Sequence, residues 1–135
     1  MMIFSPLPIL AMFIFLLTSS PSWAHHGWSA YTADIGIDVV ISELHLGGSH
    51  DRLTAVDSEG QEWDLWLATP QRNRRLGFNE DTLSVGDSID LIGRLHPSRP
   101  EIKVHCIYMS EEVKYTYYDF DGTTSLSKHS DRDQC

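Results

Sequence analysis

Three histidines hold the most chemistry in this sequence: the adjacent pair His25-His26 and, further along, His50. The pair stands directly behind Ser22-Trp23-Ala24, a small-x-small triplet of the kind a signal peptidase cleaves. Cleavage after Ala24 would leave His25 with a free α-amine beside its own imidazole. An α-amine has a pKa of about 7.7–8.0, so a metal displaces its proton easily near neutral pH. The amine and Nδ1 of one residue then close a chelate ring, and one further imidazole completes a T-shaped three-nitrogen set, the histidine brace. In a second geometry the amine, the intervening amide nitrogen and Nδ1 of His26 wrap the ion, with another imidazole in the fourth corner. Gly27 occupies the position where a third histidine would allow a fuller wrap. Both geometries suit Cu(II), which favours planar nitrogen arrays and heads the divalent affinity order. His50 is the expected additional imidazole, with His45, His96 and His105 as second choices. The sequence leaves the choice between the two geometries open.

Residues 3–17, "IFSPLPILAMFIFLL", supply the apolar core that a secretory signal needs. Pro6, Pro8 and the polar "TSSPS" keep the usable stretch below the ~20 apolar residues of a spanning helix. Residues 1–24 are therefore expected to be a signal peptide, which places the mature chain in the periplasm or outside the cell, free of the membrane. The formal charge is −9, and none of it lies in the first 24 residues. An acidic domain repels phosphate backbones, so nucleic acid is not an expected partner. Residues 25–118 are expected to form one small domain with an N-terminal arm, and the polar stretch 119–135 to be a disordered tail. Of the two cysteines, Cys106 falls in an expected core strand and Cys135 ends the tail. An exported chain permits their pairing; a buried free thiol at Cys106 is the alternative.

The elements that must position these histidines are mostly strands. "HHGWSAYTAD" shows no periodicity and is expected to be an extended arm. In "IGIDVVISELHL", Ile37, Val39 and Ile41 alternate with Asp38, Val40 and Ser42, the period of two that marks a strand. A second strand is expected in "HDRLTAVDS" after the break "GGS", and a third in "EWDLWLA", with Trp63, Leu65 and Leu67 on one face. "TPQRNRRLGF" reads as a short basic helix, with Thr69 as N-cap, Pro70 at the first position and Gly77 as its stop. A fourth strand runs through Ile89 and Leu91 to Leu95. A fifth, "EIKVHCIYMS", puts Ile102, Val104, Cys106 and Tyr108 on one side, and Lys103, an exposed His105, Ile107 and Met109 on the other. Three strands, a helix and two strands is the order of a five-stranded OB-like Greek-key barrel with one short helix between strands three and four. The aromatic stretch "KYTYYDF" is either the start of the tail or a last strand against the barrel.

Several of these pieces together resemble a family of small exported bacterial proteins defined only as a domain of unknown function. Its members open with Ala-His-His after the signal and a nearby Tyr, as "AHHGWSAY" does here. A strand leading to Asn-Pro-His follows in the family; here "ISELHLGGSH" takes that place, with His50 at the family's histidine and Gly48-Ser49 where Asn-Pro is usual. "ATPQRNRRLGF" is similar to the family's Pro-x-x-Arg-Arg-Gly helix, and "LSVGDSIDLIG" to its Leu-x-x-Gly-Asp strand. The resemblance covers roughly residues 24–108. It implies export, an OB-like barrel and a role for His25, His26 and His50; it carries no activity with it.

Other chemistries find little support. Arg72, Arg74 and Arg75 form the only basic cluster and read as a solvated helix face. Glu43, Asp64 and Asp87 are not placed as a pair across a substrate. No G-x-S-x-G elbow occurs, "DFDGT" lacks the spacing of a calcium loop, and no Lys-Ser/Thr follows Gly47-Gly48. The expectation is a non-enzymatic exported domain that binds copper through His25, His26 and His50. The alternatives are a metal-free module for a protein or small ligand, using Trp28 and Trp66, and a copper-dependent oxidative enzyme with Trp28, Tyr31 and Trp66 as its platform.

Overall fold

The structure is a computed structural model and describes residues 28–117. The leader, His25, His26, Cys135 and the tail lie outside the described residues. Six strands and one helix follow in the order β1 (Ala33–His45), β2 (Arg52–Asp57), β3 (Glu62–Trp66), α1 (Pro70–Arg75), β4 (Ser88–Leu95), β5 (Glu101–Met109) and β6 (Glu112–Thr116). β1 is long because it serves two partners. Its first part, Ala33–Val40, pairs antiparallel with β4, and its second part, Val39–His45, with β2. β2 pairs with β3, β4 with β5, and a parallel β3–β5 pairing closes the sheet on itself. This is the five-stranded OB barrel, with α1 between β3 and β4 as the sequence order demanded. β6 forms a hairpin with β5, so the stretch around Tyr115 is a sixth strand outside the closed ring.

The barrel interior holds Val39, Ile41, Leu53, Ala55, Leu65, Leu67, Leu91, Ile102, Val104 and Ile107, all buried. Each such aliphatic side chain contributes ~1.5–3 kcal/mol by leaving water. Ile37 packs against this core, so the alternation read in the first half of β1 holds. A bulge between Ile41 and Glu43 then shifts the parity, and Leu44 and Leu46 take over the inward positions. β5 departs further from simple alternation. A register shift leaves His105 between the Cys106–Ile92 and Val104–Gly93 pairs. Beyond that extra residue Ile107 joins the barrel core, whereas Cys106 and Tyr108 turn to a second cluster with Ile92 and Val113. The expected single face of Ile102, Val104, Cys106 and Tyr108 is thus split by a bulge. Cys106 is disulfide-bonded, and the described residues hold no free cysteine. The free-thiol alternative therefore falls.

α1 forms where expected. Thr69 is the extended N-cap, Pro70 opens the helix, and Gly77, at φ 90°, lets the chain turn away after Leu76. Arg72, Arg74 and Arg75 sit in its last turn, where cations meet the negative end of the helix dipole. The described residues before β1, from Trp28 on, make a turn rather than an extended arm. The Tyr31 N–H donates to the Trp28 carbonyl at 3.1 Å, and Tyr31 is buried. No helix among the described residues is long and apolar enough to cross a membrane.

Candidate functional site

His50 lies in the loop between β1 and β2, and one buried carboxylate fixes that loop. Gly47, at φ 97°, turns the chain after Leu46. Its N–H donates to Asp51 Oδ1 at 2.8 Å, an aspartate closing its own turn. Asp51 is fully buried. Its Oδ2 accepts from Asn73 Nδ2 at 2.7 Å and pairs with Arg74 Nη1 at 3.0 Å, which ties the loop to α1. Its backbone N–H donates to the Ala68 carbonyl, and its carbonyl accepts from the Leu67 N–H. Arg74 is thus a partner to a buried charge rather than part of a merely solvated face.

The anchored loop sets the His50 imidazole with Nδ1 3.0 Å from the Leu67 carbonyl oxygen. A carbonyl only accepts, so Nδ1 carries the proton in that bond. In the neutral ring the lone pair then belongs to Nε2, which no hydrogen bond engages among the described residues. Metal-binding histidines are commonly held in this way, with the other ring nitrogen donating to a backbone carbonyl.

Trp28 packs edge-on against the His50 ring, with centroids 5.3 Å apart, and against Tyr31 at the same distance. Tyr31 in turn meets His96 at 5.0 Å, and its hydroxyl donates to Glu101 Oε2 at 2.5 Å. Burial, reinforced by this bond to a carboxylate, pushes the Tyr31 phenol up to about 12. Burial alone would raise the Glu101 carboxyl, but hydrogen bonds from Tyr31 and Arg99 outweigh it and hold the group below its ordinary value. Arg99 Nε pairs with Glu101 at 2.9 Å. The Trp28–Tyr31 segment is therefore fastened at two points, to the loop of His50 and to the start of β5.

Cations line the same surface. Lys103 Nζ lies 5.6 Å from the centre of the Trp28 ring and 4.4 Å from that of Tyr117. Arg72 stands 5.5 Å from the Tyr117 ring, and His105 stacks on it at 6.3 Å. Each such cation–ring contact contributes ~0.5–1 kcal/mol at exposed sites.

The structure separates the candidate imidazoles. His96 Nδ1 accepts the backbone N–H groups of Ser98 and Arg99 at 3.1 and 3.2 Å, so its neutral ring carries the proton on Nε2 and has no lone pair left for a metal. His45 Nε2 is 2.9 Å from a Glu43 carboxylate oxygen and 3.2 Å from Thr54 Oγ1. His105 is buried rather than partly exposed, because the bulge removes it from the alternation and Tyr117 covers it. No three His, Cys, Asp or Glu side chains are grouped to hold a metal among the described residues. Of the expected aromatic platform, Trp28 and Tyr31 are in contact, while Trp66 lies beneath Arg52, which also pairs with Asp64. Sequence reasoning passed over Asp51, Glu101, Lys103 and Tyr117. Asp51 had a local signal, an Asp closing a Gly-Gly-Ser loop; the Tyr31–Glu101 bond spans 70 positions and had none.

No protein-family profile and no curated protein matches the chain. Among solved structures, the chain is similar to one in the crystal structure of the S. pombe Stn1-ten1 complex. The TM-score is 0.48 and the identity 16%, over 58% of this chain and 59% of that one. The match spans less than two thirds of either chain.

Proposed function

We propose that this is an exported, non-enzymatic domain that binds one transition-metal ion, copper, through His25, His26 and His50. The observation that carries the reading is the state of His50. Its Nδ1–H is committed to the Leu67 carbonyl, so Nε2 presents a lone pair on a loop pinned by Asp51. Trp28 supports it as well, because it rests on the His50 ring and is two residues from His26 and three from His25. Fully extended, those links span about 7 and about 11 Å, so the mature amino terminus is tethered within reach of His50. Nitrogen donors of this kind favour Cu(II). A small barrel with one anchored imidazole and a terminal amine fits storage, delivery or sensing of the ion. The resemblance to an exported family agrees with the compartment in which the amine would be uncovered.

The first test is the mass of the exported protein, which must correspond to a chain beginning at His25. That chain should then take up one equivalent of Cu(II), with nitrogen hyperfine structure in its electron paramagnetic resonance spectrum. Extending it by one N-terminal residue, or substituting His50→Ala, should each weaken binding by about tenfold or more, as loss of a ligand or its support does. Equal binding by the extended chain removes the amine from the site; equal binding by the His50→Ala protein removes the imidazole. Absence of binding by all three leaves a metal-free module.

A further inference from the structure

A groove of about 500 Å³ lies on the barrel surface remote from His50. β2 connects the two regions: the His50 loop enters it at Arg52, and the groove is reached at Val56–Ser58. Over that length an extended strand advances ~16 Å. The groove crosses the four strands β2, β1, β4 and β5, which are adjacent in that order. Val39 and Ile89 point into the core, so their neighbours Asp38, Val40, Ser88 and Asp90 point outward, into the groove. Val40 is 45% exposed and stands opposite Val56, and Tyr108 stands opposite Asp90. Val40 and Val56 give the groove an apolar strip, and the largely buried Tyr108 edges it.

The charged residues lining the groove are all acidic, set among Ser58, Ser88 and Ser110. Asp57, Asp38, Asp90 and Glu111 line the groove, and no Lys, Arg or His does. Asp38 and Asp90 are direct cross-strand partners, a placement in which like charges repel. Neither Asp38 nor Glu111 makes an ion pair among the described residues. Asp57 is fixed by the Trp63 indole N–H at 2.9 Å and by the backbone N–H groups of Glu59 and Gln61. Those donors hold its carboxyl below the ordinary range, the Trp63 bond being the largest influence.

We infer that this groove binds a linear polyamine, an aliphatic chain carrying several ammonium groups. Its methylenes lie on Val40 and Val56 while its ammonium groups meet Asp38, Asp90 and Glu111. Adjacent strands are ~4.8 Å apart, so Asp38 and Asp90, paired across β1 and β4, present their carboxylates at about that interval. Three- and four-carbon spacers separate the nitrogens of a polyamine by a comparable distance. A compact inorganic cation satisfies the charge but leaves the apolar strip wet, and an uncharged aliphatic chain does the reverse. The inference is independent of any metal at His50.

Calorimetric titration of the full mature chain with spermidine tests it. Saturable binding is expected, weakening with added salt as exposed charge contacts do. Asp38→Asn combined with Glu111→Gln should reduce the affinity about fivefold or more, and Val40→Ser should reduce it with no change in charge. Both changed carboxylates are exposed and free of ion pairs, and melting curves will verify that the variants fold. Failure to saturate, affinity unaffected by the paired substitution, or displacement by an equal concentration of magnesium would each overturn the inference.

Discussion

Replacing Asp51 by Asn changes one oxygen for one NH2 group in a fully buried site. The carboxylate is fully buried and accepts from Gly47 N–H at 2.8 Å, Asn73 Nδ2 at 2.7 Å and Arg74 Nη1 at 3.0 Å. An amide oriented toward Gly47 sets its NH2 against the donors of Asn73 and Arg74. The flipped amide sets it against the Gly47 N–H. Either way a donor faces a donor. Hydrogen bonds to a charged acceptor are worth ~1.5–3 kcal/mol each, and a buried group left unsatisfied costs ~1–3 kcal/mol. Relief is available to Arg74, which is partly exposed and also reaches the Pro70 carbonyl, and to Asn73, which keeps the Ala68 carbonyl. The net loss is therefore about 3 kcal/mol, a large part of the ~5–13 kcal/mol expected for a unit of this size. The melting temperature should fall by about 12–24 °C. Urea unfolding followed by tryptophan fluorescence measures it. Arg74→Ala, which strips one charge-assisted bond from the buried carboxylate and leaves those of Gly47 and Asn73, should cost ~1.5–3 kcal/mol. An Asp51→Asn protein melting within about 2 °C of the parent would refute the assignment of this carboxylate as the anchor of the His50 loop.

Gly93→Ala should unfold or severely destabilise the barrel, because a Cβ there would meet the Lys103 carbonyl oxygen at 2.3 Å; Gly36→Ala, with nothing nearer than 3.9 Å, should be harmless in the same thermal melt. Tyr115→Phe leaves the buried Ala68 N–H without its 2.9 Å acceptor and should cost about 1–3 kcal/mol in urea unfolding. The phenols of Tyr31 and Tyr115 are both raised from 10.0 by burial, the former to about 12. Above pH 10 the unfolded chain therefore releases protons that the folded chain retains, and stability must fall as pH rises from 10 toward 12. Absorbance at alkaline pH with Tyr31→Phe as control follows this, and a flat stability profile across that window contradicts it. Glu101 acts with the opposite sign. Its lowered carboxyl adds stability above its ordinary value that is lost as pH falls through the folded value, so Glu101→Gln should flatten the acid limb of the stability curve.

The order of elements was legible because each local signal agreed with the global fold. Alternating β-branched residues gave the first half of β1, and Thr69-Pro70 and Gly77 bracketed α1. What alternation could not carry was the place where it breaks. A bulge adds one residue and reverses every later side chain, so His105, expected outside, is buried, and Ile107, expected away from Ile102, joins its core. The only local hint was Gly93, opposite the bulge, where the backbones approach too closely for a Cβ. The site divides in the same way. His50 stood out by type and by its place after a glycine loop, whereas its orientation depends on Leu67, Asn73 and Arg74, which are distant in sequence. Four histidines of the described chain look alike as letters. They differ in which nitrogen a backbone group has already claimed, and that is settled by tertiary hydrogen bonds. At His96 the backbone takes Nδ1 as acceptor and leaves a proton on Nε2; at His50 it takes Nδ1 as donor and leaves a lone pair. Candidate metal ligands in a histidine-rich chain are therefore ranked by what holds the other ring nitrogen, and on that criterion His50 stands ahead of His96.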